Sequence, residues 1–149
     1  MLIDTHRFGP LEVDDDRIIT FAQGLLGFPE QRRYALLQTS SDPVFFWLQS
    51  VEDPTLAFVV CDPLAFVADY QVPIRQDDLD ALKLAELTEA QVLVIVNKVG
   101  SQLTANLLGP LVMGARSLLG KQMVLSDKRY DTRHPLLLLE PVRAVAKTA

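Results

Sequence analysis

Short apolar runs separated by proline, glycine and aspartate make up most of the chain. Runs of this kind, rich in β-branched and aromatic residues, are typical of the strands of an all-β domain. The pattern therefore predicts a mainly β fold. The predicted strands are Leu2–Thr5, Gly9–Val13, Arg17–Phe21, Arg33–Gln38, Phe45–Ser50, Leu56–Cys61, Val92–Lys98, Leu103–Leu107 and Lys121–Leu125.

The strands at Phe45–Ser50 and Val92–Lys98 are apolar at most positions. A strand with one face in water alternates apolar and polar side chains, whereas a strand covered on both faces reads as a continuous apolar run. We therefore expect these two strands to lie in the core, with both faces covered.

One short helix is predicted between the strands. Asp77 or Asp78 can cap its first turn, and Leu79 and Leu82 then fall on one face. The helix is expected to end near Glu86. The pattern also allows helical turns at Gly114–Leu119 and Glu140–Ala146, and so the fold should contain one or two short helices.

The length of 149 residues suits a single domain, and 49% of the residues are apolar. We expect residues 1–149 to form that domain, with 142–149 as a loosely ordered tail. The start shows no signal peptide, no apolar run is long enough to span a bilayer, and Cys61 is the only cysteine. These features indicate a cytoplasmic protein without membrane contact.

The net charge of −5 is divided unevenly along the chain. Residues 1–90 carry 16 acidic and 6 basic side chains, whereas residues 91–149 carry 3 acidic and 8 basic ones. The division predicts one acidic and one basic face that could steer charged partners. The alternative is that the two halves interleave in space and their fields largely cancel.

Most catalytic and metal-binding templates lack the residues they need. His6 and His134 are the only histidines, and no zinc, P-loop or nucleophile-elbow motif is present. The nearest enzymatic constellation is Cys61 with His134 and Asp131. Cys61 follows an apolar run, however, and fits a core position better. We therefore predict no enzymatic activity, no metal and no cofactor.

The stretch Arg116–Arg133 is rich in basic side chains and contains one aromatic residue, Tyr130. Basic side chains can neutralise phosphates, and an aromatic ring can stack on a base. The pI of the chain is about 4.9, which is lower than is usual for nucleic-acid-binding proteins. A small RNA-binding β-barrel using residues 116–133 therefore stays as an alternative, and no direct contact with nucleic acid is the expectation.

Five segments, taken in order, resemble the FliW family of flagellar assembly factors. They include its "I-x-F-x-x-G-L-x-G-F" opening, its "L-Q-S … P-x-x-x-F" stretch, its "T-x-N-L-x-A-P" region and its "G-x-Q-x-V-L" strand. The segments are Ile19–Phe28, Phe46–Phe58, Thr104–Pro110, Gly120–Leu125 and Tyr130–Leu136. The chain departs from the pattern at Gly109, where alanine is usual, and at Met113-Gly114, where asparagine often stands second. Any contact made by that asparagine in relatives is in doubt here.

The resemblance implies a compact, antiparallel β-barrel-like domain that binds proteins. FliW-like proteins bind the RNA-binding translational regulator CsrA and relieve its repression of flagellin messages. They also bind flagellin, which can sequester them and restore the repression. The mechanism that the resemblance implies is an exchange of protein partners without chemistry.

Five residues are candidates for partner binding. CsrA must present positive charge to RNA, so an acidic patch is a sensible docking face. The candidates on that patch are Asp77, Asp78, Asp80 and Glu86, for which capping and solvation are the alternative roles. Asn106 is the fifth candidate, and its alternative role is to satisfy backbone groups at a strand end.

The remaining expectations concern flagellin, small ligands and assembly state. Flagellin pairs through apolar helix faces, so an exposed apolar groove is expected for it, although the sequence does not locate one. A barrel that binds a small ligand is a further alternative, since barrels often enclose ligands. The oligomeric state stays open, with a monomer as the expectation.

Overall fold

The computed structural model describes residues 1–39 and 41–138, and these residues form eleven strands and one α-helix. The strands are β1 (Leu2–Thr5), β2 (Gly9–Glu12), β3 (Ile18–Phe21), β4 (Arg33–Leu37), β5 (Phe45–Ser50), β6 (Ala57–Cys61), β7 (Ala90–Val99), β8 (Gln102–Ala105), β9 (Leu111–Gly114), β10 (Leu119–Gln122) and β11 (His134–Leu138). The helix α1 spans Gln76–Ala81, and single turns of 3₁₀ helix lie at Asp15–Arg17, Pro63–Ala65 and Leu87–Glu89.

Seven of the strands close into a barrel. Their order is β7, β6, β5, β4, β3, β10 and β9, and β9 pairs back with β7. All neighbours in this ring are antiparallel except β10 and β3, which run parallel. Closure into a ring removes the exposed edges that an open sheet would leave. The prediction of a mainly β, barrel-like fold with few short helices is thus confirmed.

Strand β7 joins the barrel to the rest of the sheet. Its first half pairs with β9 and its second half with β8, while β6 pairs along the opposite edge. Leu93 points into the barrel and Val94 packs in a cluster outside it, and both are buried. The prediction that this strand is covered on both faces is therefore confirmed. Beyond β8, the sheet ends with β11.

Large apolar side chains fill the barrel interior. The buried members are Ile19, Phe21, Leu25, Tyr34, Leu36, Leu48, Val60, Leu93, Leu111 and Met113. Phe21 and Tyr34 meet edge to face, with ring centroids 5.8 Å apart, a geometry that the aromatic quadrupoles favour. The ring of Phe21 also lies directly over Gly120 of β10, where a β-carbon would stand 2.5 Å from Cε2 of Phe21.

Two further layers cover the outside of the barrel. The β1–β2 hairpin packs Ile3 and Val13 against Ala35 of β4. On the other side, residues 62–89 cross from β6 to β7, and we call them the crossover segment. Within it, Leu79 and Leu82 of the α1 region pack against buried side chains that include Val112 of β9. The crossover segment therefore positions α1 on the outer face of β9 and β10.

Several predicted elements differ from the structure. Strands β9 and β11 were not predicted, and the strand expected at Lys121–Leu125 is observed at Leu119–Gln122. The predicted helical turn Gly114–Leu119 is wrong, because Gly114 ends β9, Leu119 begins β10, and the residue between them at 118 has φ +58°. A left-handed residue of this kind turns the chain back as a hairpin and cannot continue a right-handed helix.

The predicted helix exists but begins and ends elsewhere. Arg75 occupies the N-cap position, so Asp78 caps the first turn of α1 from the third helical position and not as the N-cap residue, and the helix ends at Ala81, well before Glu86. Asp78 is the third helical residue, and its carboxylate accepts the backbone N–H of Arg75 at 3.0 Å. The possible turn at Glu140–Ala146 and the tail 142–149 lie outside the described residues. Among residues 1–39 and 41–138, no helix has the length and apolar character needed to cross a membrane.

The contact of Gly120 with Phe21 predicts a test of barrel closure. Gly120→Ala should lower the free energy of unfolding by about 1–3 kcal/mol, because the added methyl group overlaps the Phe21 ring in the packed interior. The measurement is urea denaturation followed by circular dichroism. In a Phe21→Leu background the same substitution should cost much less, and equal costs in both backgrounds would contradict this explanation.

Candidate functional site

Three of the recognised sequence segments come together at one end of the barrel. Gln122, the last residue of β10, connects them through its side-chain amide. Its Oε1 accepts the backbone N–H of Leu26 at 2.7 Å, and its Nε2 donates to the backbone oxygen of Gly109 at 3.0 Å. One side chain thus fixes the turn after β3 and the turn after β8 relative to β10.

The turn after β3, residues 22–29, owes its shape to two left-handed glycines. Gly24 has φ +67° and Gly27 has φ +86°, conformations that side chains strongly disfavour. A β-carbon at Gly24 would also lie 2.5 Å from the backbone oxygen of Phe28. The turn closes through backbone hydrogen bonds in both directions between Leu25 and Phe28, at 3.3 and 2.7 Å.

This turn buries one large side chain in the barrel and leaves others exposed to solvent. Leu25 is buried in the barrel, whereas Leu26 is 61% exposed. Phe28 is partly exposed and meets Phe58 edge to face, with centroids 5.3 Å apart. An isolated exposed leucine is ordinary, but here it sits on a turn that hydrogen bonds hold in place.

A groove of about 310 Å³ lies between this turn, the end of α1 and β10. We call it the motif groove. Its lining residues are Ala22, Gln23, Gly24, Leu25, Leu26, Gly27, Pro29, Ala81, Leu82, Gly120, Lys121 and Gln122. Most of them are small or apolar, which suits an apolar side chain of a partner better than a charged ligand.

An ion pair holds α1 at the side of the motif groove. Nζ of Lys121 lies 2.6 Å from Oδ1 of Asp78, whose side chain is 8% exposed. Burial by itself would raise the pKa of Asp78, but hydrogen bonds from Lys121 and from the backbone N–H of Arg75 outweigh it, and the pKa is lowered. The Asp78 carboxylate is therefore charged and fully engaged within the protein.

The acidic candidates separate into exposed and internal residues. Asp77, Asp80 and Glu86 are exposed. Asp80 accepts a hydrogen bond from Gln76 at 2.9 Å, and Glu86 accepts one from Thr88 at 3.3 Å. Asp78 is buried against Lys121 and does not belong to the exposed acidic surface. Partner binding by the acidic candidates stays a prediction.

Asn106 lies in the turn after β8. Its Oδ1 accepts the backbone N–H groups of Leu108 at 3.1 Å and Gly109 at 3.0 Å. These bonds give Asn106 the role of satisfying backbone groups at a strand end, because the side chain mimics a turn. They also connect it to Gly109, the residue that Gln122 holds, so its influence on the motif groove is indirect. Direct contact of Asn106 with a partner stays a prediction.

The alternative chemistries find little support in the geometry. Burial raises the pKa of the Cys61 thiol to about 12, with a further contribution from Asp62, so this thiol is a poor nucleophile at neutral pH. Within the described part of the chain, no cluster of metal-ligating side chains is formed. In the basic stretch 116–133, Lys121 is paired with Asp78 and Arg129 with Asp127 at 2.8 Å.

The sequence did not single out Gln122 and Lys121 as functional residues. Their positions in the "G-x-Q-x-V-L" segment were visible, but their partners lie far away along the chain. Lys121 meets Asp78 across 43 positions, and Gln122 meets Leu26 across 96. The available signal was the pair of polar residues at the end of β10, and it did not identify the partner of either residue.

Comparison with known proteins gives a consistent result. The family model described as "FliW protein" matches residues 2–136. The flagellar assembly factor FliW of Natranaerobius thermophilus is 42% identical over 139 residues, covering 91% of this chain and 92% of that protein. Its counterpart in Treponema denticola is 38% identical, covering 92% and 94%. A crystal structure of the flagellar assembly factor FliW superposes with a TM-score of 0.82 at 32% identity, covering 94% of this chain and 99% of that one.

The Asp78–Lys121 pair predicts a stability effect that depends on pH. Lys121→Met should lower the free energy of unfolding at pH 7 by about 1–3 kcal/mol, because it leaves a buried carboxylate without its cation. The loss is smaller than for a fully buried pair, since the lysine is partly exposed. Lys128→Met, at an exposed lysine, is the matched control and should have little effect.

The pH dependence follows from the lowered pKa of Asp78. The stabilisation is complete above the unfolded carboxyl pKa of about 4 and is lost as the pH falls through the lower folded value. The stability difference between wild type and Lys121→Met should therefore shrink on acidification below about pH 4. Urea denaturation at a series of pH values measures it. A difference that stays constant down to pH 3 would exclude the ion pair as its cause.

Proposed function

The chain belongs to the FliW family of flagellar assembly factors, and from this membership we propose that it is a non-catalytic cytoplasmic protein that binds CsrA and flagellin. Binding to CsrA relieves repression of flagellin translation, and binding to flagellin returns the system to repression. The observation that carries the proposal is the position of α1. This helix separates an exposed acidic surface from the apolar motif groove.

The acidic surface suits a partner that binds RNA. Asp77 and Asp80 lie exposed on α1, and Glu86 lies exposed a few residues further on. An RNA-binding protein presents lysine and arginine to phosphates, and such a surface is complementary to exposed carboxylates. Because Asp78 is neutralised internally by Lys121, the proposed contact uses the other three acidic residues.

The motif groove suits the apolar face of a flagellin helix. Leu26 stands exposed at the groove, and Ala81 and Leu82 of the α1 region form another part of its wall. An amphipathic helix binds a groove of this kind by inserting apolar side chains spaced three or four residues apart. The proposal assigns flagellin to this groove and CsrA to the acidic surface.

A charge-reversal experiment tests the CsrA contact. The double variant Asp77→Lys/Asp80→Lys should bind CsrA at least about tenfold more weakly in isothermal titration calorimetry, because two attractive charges become repulsive. Glu86→Lys should weaken binding further, and added salt should weaken the wild type more than the variant. Asp14→Lys/Asp16→Lys makes the same change of charge at exposed residues outside the crossover segment and should bind like wild type. If both double variants lose the same affinity for CsrA, the loss reflects the net charge of the protein and the proposed contact at Asp77 and Asp80 is wrong.

An apolar-to-acidic exchange tests the flagellin contact. Leu26→Asp should reduce flagellin binding by about tenfold or more, because a charge would enter an apolar contact, and it should leave the melting temperature nearly unchanged. Leu2→Asp, at a leucine that is also exposed but lies on the β1–β2 hairpin, is the control. Size-exclusion chromatography and calorimetry with purified flagellin measure the result. If Leu26→Asp binds flagellin as tightly as wild type does, the motif groove is not the flagellin site.

A further inference from the structure

The excess negative charge of the chain is concentrated in the crossover segment. Residues 62–89 carry seven acidic and two basic side chains, a balance of −5, which equals the net charge of the whole chain. The other 121 residues carry twelve acidic and twelve basic side chains. Six of the seven acidic residues are exposed, the exception being Asp78. The acidic character of the protein is therefore a local property of one covering segment.

The same segment forms a second apolar groove, distinct from the motif groove. Its volume is about 300 Å³, and it lies between the beginning and middle of the crossover segment and the start of β7. We call it the crossover groove. Its apolar lining consists of Pro63, Leu64, Tyr70, Val72, Ile74, Ala90 and Val92. The carboxylate of Asp62 also lines it, so an acidic group stands at the groove itself.

Two exposed leucines lie at the ends of the segment. Leu64 lines the groove and is 56% exposed, and Leu87, three residues before the lining residue Ala90, is 57% exposed. Both stand on short 3₁₀ turns. A single exposed leucine is ordinary on a protein surface, so Leu64 is the more informative of the two because it also lines the groove.

Acidic side chains hold both turns in shape. Asp62 accepts the backbone N–H of Leu64 at 3.0 Å. Glu89 accepts the backbone N–H groups of Ala85 at 2.7 Å and Glu86 at 2.9 Å. Because these carboxylates are fixed to the backbone, both the leucines and the surrounding negative charge are pre-organised, which lowers the entropy lost on binding.

We propose that the crossover groove binds a basic amphipathic segment of a protein partner, whose apolar side chains enter the groove while its lysine and arginine side chains face Asp62 and the exposed acidic side chains of the crossover segment. The apolar lining supplies the site for anchors, and the six exposed acidic residues of the segment favour a basic occupant over a neutral or acidic one. The inference rests on the proposed function, since CsrA is the basic partner named there. It adds an apolar anchoring site to what was an electrostatic contact.

Two binding measurements test the inference on the whole chain. The first is calorimetry with CsrA, using Leu64→Asp and Leu87→Asp, with Val99→Asp as a control at a valine of similar exposure outside the segment. The second uses a fluorescently labelled 14-residue helical peptide of leucine and lysine, with a peptide of the same composition in scrambled order. A leucine and glutamate peptide is the charge control.

The expected results separate the inference from the proposed function. Leu64→Asp and Leu87→Asp should weaken binding of both CsrA and the amphipathic peptide by about fivefold or more, while Val99→Asp binds like wild type. The scrambled and glutamate peptides should bind at least about fivefold more weakly than the amphipathic one. Circular dichroism melting verifies that each variant is folded, and the use of two leucines guards against one damaged variant.

Three outcomes would be informative in different ways. If wild type binds CsrA and both leucine variants bind it equally well, the inference is overturned and the proposed function stands. If wild type binds the amphipathic peptide through Leu64 but does not bind CsrA, the proposed function fails and the inference holds for another basic partner. If the scrambled peptide binds as well as the amphipathic one, the surface recognises only the charge of the peptide, and the inference is overturned.

Discussion

The close approach of β10 to β3 is the constraint on which the rest of the structure depends. These strands run parallel and close the barrel, and their contact places Gly120 beneath the ring of Phe21. Only a residue without a side chain fits that position. Once β10 is in place, its next two residues make contacts of their own, Lys121 with Asp78 and Gln122 with Leu26 and Gly109. Barrel closure, the position of α1 and the shape of the motif groove are thus determined by three consecutive residues.

The crossover segment gives the barrel its two chemically different surfaces. A closed barrel of seven strands buries its own interior and needs no further layer for that purpose. The segment between β6 and β7 instead buries the outer faces of neighbouring strands and carries the excess negative charge to the surface. Because α1 belongs to this segment and also forms part of the motif groove, the acidic and apolar surfaces are mechanically connected through one short helix.

Local patterns predicted most of the strands, because alternation and apolar runs are properties of neighbouring residues. Strand β9 escaped prediction because its apolar run, Leu111–Met113, has only three residues between Pro110 and Gly114, which is too short to indicate a strand. The start of β11 contains Pro135, which usually argues against a strand but is tolerated at the end of a sheet. The resemblance to a family supplied the barrel, which no local pattern could indicate, since closure depends on pairing between residues near 20 and 120.

The candidate site was predictable in part, and the limit is physical. The density of acidic residues predicted an acidic surface, and Asp77, Asp80 and Glu86 are exposed there, while their binding to a partner stays a prediction. Nothing local shows that Asp78 turns inward, because its partner Lys121 is remote in sequence. The backbone bonds of Asn106 followed from its type and position at a strand end, as the sequence had allowed. The Gln122 contacts required knowledge of the fold.

The hydrogen bond between Leu26 and Gln122 has a consequence for the order of events during synthesis. It joins residues 96 positions apart, and the parallel pairing of β3 with β10 spans a similar separation. Contacts this distant in sequence form late, because closing a long loop costs entropy before any contact repays it. A ribosome that has translated only the first hundred codons has already released the Gly24–Phe28 turn, yet that turn has no β10 to hold it. The motif groove beside it is therefore a property of the finished chain, and a nascent or truncated copy without β10 cannot form it.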